Sequence, residues 1–225
     1  METKNFINTF DEILTRVEKA RLSVDQHRIV KIVAASKSAT PQMIEAMYNI
    51  GQRSFGENKI QDMSDKVYAL SHLPLEWHFI GRLQTNKINQ LIDLNPSLMH
   101  SLSSLELAQE LDKRLSVKGK TMNVLLQINS AYEEQKAGVL PEVALEVYEQ
   151  INLTCKHLQL KGVMSIGAHT EEKAIIQKSF ETTSKIFESL QNQGAKYCSM
   201  GMSQDFELAI ACGSNMIRLG SILFK

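Results

Sequence analysis

Lys37 combines a nucleophilic amine with a strand-end position. It follows Ile29-Val30-Lys31-Ile32-Val33-Ala34-Ala35-Ser36, the first strongly apolar, β-branched run of the chain, and precedes Thr40-Pro41. Such a run reads as a buried strand closed by a polar turn. A lysine just past the C-terminal end of a buried parallel strand stands where barrels and open α/β sheets keep their chemistry. Desolvated there, its amine can lose a proton and condense with an aldehyde to a Schiff base. The plainer alternative is a solvated lysine at a strand end, and only the rest of the chain decides between the two.

Two glycine-bearing segments supply a complement to that amine. Ser199-Met200-Gly201-Met202-Ser203-Gln204-Asp205 follows one strand-like run, and Ile217-Arg218-Leu219-Gly220-Ser221 ends the last. In barrels the loops after the seventh and eighth strands often bind phosphate. Gly201-Met202-Ser203 leads into a predicted helix from Ser203 to Ala211, closed by Gly213. Glycine allows close backbone approach, and a helix N-terminus offers unpaired N–H groups. Ser203 fits a second reading equally well, as the cap of its own helix. Gly220 and Ser221 add N–H and hydroxyl donors. Arg218, flanked by Ile217 and Leu219, would put a guanidinium inside the barrel, where it needs an anion or a ring acceptor. A reactive lysine opposite a phosphate cradle, with an inward arginine, points to a phosphorylated aldehyde.

The elements that must position these groups alternate between strand and helix. Strand-like runs cover 30–36, 53–56, 76–81, 97–101, 122–129, 161–166, 196–200 and 215–219. Between them, Thr40 caps a helix with Pro41 at its first position and Gly51 after its end. A Ser103-x-x-Glu106 capping box opens a helix whose apolar face is Leu102, Leu105, Ala108, Leu111 and Leu115. Pro141 opens another, with Val143, Leu145, Val147, Tyr148 and Ile151. Ile175, Ile176, Phe180, Ile186, Phe187 and Leu190 mark a third. Phe6, Phe10, Ile13, Leu14 and Val17 form the apolar stripe of an extra N-terminal helix within residues 1–28, packed on the bottom or side of the barrel. Eight βα units predict a single (β/α)8 TIM barrel over residues 1–225, in the α/β class, with a doubly wound open sheet as the alternative. No linker or short repeat divides the chain.

Composition excludes several roles. Lys+Arg and Asp+Glu balance at 25 each, so there is no electrostatic footprint for nucleic acid or an anionic membrane. No stretch is long and apolar enough to span a bilayer, and no signal-peptide core follows Met1. Cys155, Cys198 and Cys212 are an odd number without metal-ligand spacing, as expected of free thiols in a reducing cytoplasm and of a chain with no metal site. Among the remaining polar residues, Glu57 reads as a first-turn charge of the following helix, Lys136 as a solvated loop lysine, and Trp77 as a packing residue. His78 fits both a packed strand histidine and a cofactor contact.

The segments Ala35-Ser36-Lys37, Gly51-Gln52-Arg53-Ser54-Phe55-Gly56-Glu57-Asn58, Glu76 to Lys87, His100-Ser101, Lys136-Ala137-Gly138, Ser199 to Glu207 and Ile217-Arg218-Leu219-Gly220 together resemble the pyridoxal phosphate homeostasis protein family. The matches run in order over nearly the whole chain. The resemblance implies a barrel similar to the N-terminal domain of alanine racemase, with pyridoxal 5'-phosphate as cofactor. It implies that Lys37 is the Schiff-base lysine and that Ser203, Gly220 and Ser221 bind phosphate. Arg218 would face the pyridine ring, with Asn58, His78 and Met200 around the cofactor. Lys136 would assist cofactor transfer. Arg82 replaces a frequent His of the family and adds charge near the mouth. Ser221 replaces a frequent Thr but keeps the hydroxyl.

The expected function is therefore a monomeric, cytoplasmic protein that holds pyridoxal phosphate, delivers it transiently to apo-enzymes or buffers it, and has no catalytic residue or turnover of its own. Arg218 beside the ring nitrogen would keep that nitrogen unprotonated and weaken the ring as an electron sink. The competing class is an amino-acid racemase, which needs a second acid/base on the opposite cofactor face. That group comes from a C-terminal domain and second subunit in alanine racemase-like enzymes, and this chain ends directly after the eighth strand. A cofactor-free, phosphate-binding isomerase stays open only if Lys37 makes no Schiff base.

Overall fold

The computed structural model describes residues 2–224, with side chains described from residue 7. Eight parallel strands close into a barrel in chain order: β1 Lys31–Ala35, β2 Ser54–Glu57, β3 Glu76–Phe79, β4 Leu98–Leu102, β5 Met122–Ile128, β6 Leu158–Ser165, β7 Tyr197–Ser199 and β8 Met216–Leu219. β8 pairs with β1 in register Ala34↔Leu219, which removes both sheet edges and excludes the open sheet. The expected strands all form. β6 begins at Leu158, earlier than the 161 read from sequence, because Leu158 and Leu160 alternate with exposed Gln159 and extend its buried face.

The helices are α1 Glu2–Leu22, α2 Pro41–Asn49, α3 Ile60–Ala69, α4 Ile88–Leu94, α5 Leu105–Val117, α6 Ala144–Thr154, α7 Lys173–Leu190 and α8 Phe206–Ala211. Thr40 Oγ1 accepts from Met43 N–H at 3.3 Å, and Gly51 takes φ +108° just past the end of α2, where a side chain would be strained. α1 packs on the side of the barrel against α8 and α2. Phe10, Ile13 and Val17 are buried there, while Leu14 stays 41% exposed; the side chain of Phe6 lies outside the described residues. Arg16 ties α1 to α8 through Glu207 at 2.7 Å and lies 4.7 Å from the Phe206 ring centre.

Three local readings need correction. Ser104, not Ser103, caps α5, accepting from Leu107 N–H at 3.2 Å, so Glu106 cannot close a capping box and Leu102 belongs to β4. α8 starts at Phe206 rather than Ser203, because residues 203–205 form a turn held by Met202 N–H donating to Asp205 Oδ1 at 2.6 Å. Val143, Leu145 and Ile175 are exposed, because the inward stripes of α6 and α7 begin at Ala144 and Ser179 instead.

Strand alternation sorts the side chains into two layers. Ala34, Phe55, Phe79, Val124 and Ile217 join the main apolar cluster with the helices. Val33, Leu98, Leu125, Met164 and Met216 form a separate cluster, and register puts Val33 beside Arg218 and Leu98 beside His78. The barrel interior is thus apolar in part but carries Arg218, His78, His100 and Ser199, all buried. Trp77 packs as expected, its ring centre 6.1 Å from that of Phe55.

Candidate functional site

Lys37 occupies the turn directly after β1, with an exposed side chain. Its amine therefore stands in solvent here, not in the desolvated setting read from position. The backbone beneath it is tightly held. Ser36 N–H donates to Gly56 O at 2.9 Å, Ser36 Oγ donates to Glu57 Oε1 at 2.6 Å, and Lys66 Nζ donates to Ser36 O at 2.7 Å. Lys66 also pairs with Glu57 at 2.7 Å, and the Glu57 side chain is fully buried. Glu57 is therefore no first-turn charge: as the last residue of β2 it shares the face of Phe55, toward α3, where it is buried against Lys66 and Ser36. Neither Ser36 nor Lys66 carried a sequence signal for this role, since the contact joins residues 30 apart.

Register places the other candidates around that turn. β1 and β2 pair Ala35↔Gly56, which puts exposed Asn58 level with Lys37 on the neighbouring strand end. Gly81 packs so closely on this loop that a Cβ there would lie 1.8 Å from Asn58 O. Backbone cannot yield as a rotamer can, so Gly81→Ala should destabilise the protein by about 1–3 kcal/mol. Urea unfolding reads this directly; a variant as stable as the parent would show that the Asn58 loop moves freely. Arg82, next along, is exposed.

Ser203 and Gly220 meet. Gly220 N–H donates to Ser203 Oγ at 3.2 Å, joining the turn after β7 to the turn after β8. The N–H groups of Ser203, Gln204, Ser221 and Ile222 have no acceptor among the described residues. Gly220 itself lies against the end of β1, where an added Cβ would be 3.2 Å from Ala35 O. A set of N–H and hydroxyl donors on two neighbouring turns thus adjoins the strand that delivers Lys37, and such a set suits a phosphate. Ser203 does not cap a helix; its oxygen serves this junction.

Arg218 is inward and 6% exposed. Its guanidinium donates to Ser199 O at 2.8 Å, Ser199 Oγ at 2.7 Å and Ser165 O at 2.9 Å. Carbonyl and hydroxyl oxygens, rather than an anion, satisfy it. Burial pulls its pKa down to about 10, against the nearby Asp205 carboxylate, so it remains a cation at neutral pH. Burial in turn raises the Asp205 carboxyl above its usual value.

Beneath Arg218, Ser199 Oγ contacts His100 Nδ1 at 3.1 Å, and His100 Nε2 contacts His78 Nδ1 at 2.8 Å. His78 thus lies deeper in the barrel than the mouth that carries Lys37, and it reaches Arg218 only through His100 and Ser199. Met200 is fully buried in the main apolar cluster. Burial lowers the pKa of both histidines, well below the usual value for His100. The unfolded chain takes up protons on these rings near pH 6.5, whereas the folded protein resists them, so stability falls as pH falls through that range. Between pH 7 and 5.5 the loss should reach about 1–2.5 kcal/mol. Denaturant titrations at the two pH values test it, and an unchanged stability would mean that the pair accepts a proton in place.

Lys136 is not solvated. Its Nζ pairs with Glu133 at 2.8 Å and donates to Gly167 O at 2.7 Å, with the side chain 16% exposed. Asn129 Nδ2 holds the same loop through Glu133 O and Lys136 O, a role that its place at the end of β5 only hinted at. Lys136, Gly167, Met202, Gln204 and Asp205 line an open cavity of about 1270 Å³ beside the Ser203 turn.

Residues 8–225 match the family described as alanine racemase, N-terminal domain. The pyridoxal phosphate homeostasis protein of Helicobacter pylori is 59% identical over 215 residues, 96% of each chain. The Homo sapiens protein of that name is 32% identical over 210 residues, 86% of this chain and 75% of the human one. Among solved structures, PipY of Synechococcus elongatus with pyridoxal phosphate bound gives a TM-score of 0.82 at 29% identity, over 98% of this chain and all of PipY (100%). Alanine racemase of Clostridium difficile shares the fold, with a TM-score of 0.74 at 16% identity over 96% of this chain and 56% of the enzyme. A strand-end lysine, a two-turn donor set and this level of identity agree: the chain belongs to the pyridoxal phosphate homeostasis protein family.

Proposed function

We propose that this chain binds pyridoxal 5'-phosphate at the C-terminal mouth of its barrel and keeps the cofactor available to apo-enzymes without turning over a substrate. The observation that carries this reading is the Ser203–Gly220 junction, with its unpaired N–H groups, adjoining the end of the strand that delivers Lys37. Ser203, Gly220 and Ser221 hold the phosphate. The cofactor supplies an aldehyde, and the Lys37 amine condenses with it to a Schiff base, releasing water.

Arg218 lies below the mouth, fixed by Ser165 and Ser199, and its charge disfavours protonation of a ring nitrogen placed near it. His100 and Ser199 support Arg218 from beneath, and His78 acts through them. Asn58 closes the site from the β2 side. Lys136, on its own loop beside the Ser203 turn, competes for the aldehyde during release once it leaves Glu133. Free Cys155, Cys198 and Cys212 agree with a cytoplasmic location. The protein acts as a monomer.

The experiment is a spectrum. Protein saturated with pyridoxal phosphate should show an absorption band near the visible edge that borohydride removes, with the reduced adduct on the Lys37 peptide. Racemisation of amino acids should stay at background. No band in saturated protein sinks the reading; robust Lys37-dependent racemisation replaces it with an enzyme.

A further inference from the structure

The opposite, N-terminal mouth of the barrel holds a second polar cavity, of about 250 Å³. Lys31, Glu76, Asn123, Lys161 and Lys196 line it near the strand starts, and His78 reaches it from inside. Three ammonium groups there face one carboxylate. That carboxylate is already engaged: Glu76 Oε2 accepts from Lys31 Nζ and, at 2.6 Å, from Ser54 Oγ. Lys161 is half-buried and Lys196 exposed, and neither forms an ion pair among the described residues. The cavity is therefore net positive.

His78 fixes what kind of atom is wanted. It is 2% exposed, and its Nε2 has no hydrogen-bond partner among the described residues. The Glu76 carboxylate oxygen lies 3.9 Å away, beyond hydrogen-bond range. The polarity of Nε2 follows from the other end of the network. A guanidinium only donates, so Ser199 Oγ accepts from Arg218 at 2.7 Å; its own hydrogen has no acceptor among the described residues except His100 Nδ1, and leaving a buried hydroxyl hydrogen unmet is costly, so it turns there. A neutral His100 then carries its proton on Nε2 and donates to His78 Nδ1 at 2.8 Å. A neutral His78 is left with its proton on Nε2. The unpartnered atom is thus a buried N–H donor aimed into a lysine-lined cavity, and an unmet buried donor is costly.

We propose that this mouth binds a phosphate-sized oxyanion, held by His78 Nε2–H and the ammonium groups of Lys161 and Lys196. The size agrees: the cavity falls below the roughly 300–1,000 Å³ typical of pockets for larger organic ligands. The site is distinct from the Ser203–Gly220 cradle, which lies at the other end of the barrel. The His78–His100–Ser199–Arg218 chain links the two ends, so an anion at one is felt by the guanidinium near the other.

The test follows the His78 ring signals of ¹⁵N-labelled protein at pH 7 and constant ionic strength while inorganic phosphate is added. The signals should shift saturably with phosphate and not with acetate. Lys161→Ala with Lys196→Ala should weaken the apparent affinity at least tenfold, and Lys196→Glu, at an exposed position, should do so alone. In Ser203→Ala, which weakens the opposite cradle, the saturable response and its dependence on Lys161 and Lys196 should persist; their loss would place the bound phosphate at the other mouth and overturn the site. Phenyl phosphate distinguishes a free anion, if it binds worse than phosphate, from the headgroup of a phosphate ester, if it binds better. A response that does not saturate, that acetate reproduces, or that survives the lysine variants overturns the site. None of these outcomes depends on whether Lys37 holds a cofactor.

Discussion

Lys37→Ala should abolish the proposed covalent retention of pyridoxal phosphate while leaving the fold intact. The side chain is exposed in the turn after β1, so its removal opens no cavity and breaks no buried pair. Stability should stay within about 0.5 kcal/mol of the parent, as for exposed substitutions in general. Binding is another matter. The proposed phosphate cradle at Ser203 and Gly220 is untouched by the substitution, so the cofactor should still dock, but without a covalent bond. Apparent affinity should fall at least tenfold, a loss of about 1.4 kcal/mol or more, and the borohydride-sensitive band should disappear. Lys37→Arg separates the causes, because it keeps the charge and cannot condense with the aldehyde. If Lys37→Arg retains the band, Lys136 or another amine is the attachment point.

Glu57→Ala should be the most destabilising single substitution at this mouth. It leaves the Lys66 ammonium, at 11% exposure, without its carboxylate partner and leaves Ser36 Oγ only the longer contact to Gly56 O at 3.4 Å. Breaking a buried pair by removing one member costs about 3–5 kcal/mol, because the remaining charge is neither paired nor hydrated. The pair need not be strongly stabilising in itself. Glu57→Leu with Lys66→Met, which removes both charges at similar volume, should recover most of the loss. The double variant should nevertheless bind cofactor poorly, since Lys66 Nζ and Glu57 fix the backbone one residue before Lys37. Unfolding midpoints and the cofactor spectrum, measured on the single and double variants, separate the two roles. Cofactor binding as tight as the parent's in the stable double variant would make the pair purely structural.

Much of the barrel was legible because its signals are local. Each strand is a short run of β-branched and apolar residues, and each helix repeats its apolar positions at helical spacing. Thr40-Pro41 and Gly51 bounded α2 by capping chemistry that depends on neighbouring residues alone. The misread boundaries are those where two local signals compete. Ser103 and Ser104 both suit a cap, and only the length of β4, through Leu102, selects Ser104. Ser203 suits a cap as well, but the Asp205 carboxylate takes the Met202 N–H and delays α8 to Phe206. Among candidate site residues, Lys37, Ser203, Gly220 and Arg218 stood out because a nucleophile, glycine turns and an inward cation are unusual in their local setting.

By itself, then, the sequence determined the order of strands and helices, and it named the turns that carry chemistry, since periodicity and turn preference act over a few residues. Tertiary structure alone decided what those turns are held by. Lys66 meets Ser36 across 30 residues, Arg218 meets Ser165 across 53, and His100 meets Ser199 across 99. The first exists because α3 packs back over the ends of β1 and β2, and the other two because closing the barrel forces inward side chains of distant strands into one small volume. There, each buried polar group must find a partner or bear the cost of lacking one. No local pattern records that choice, and an unmatched nitrogen inside the barrel, His78 Nε2, becomes visible only once the strands are closed around it.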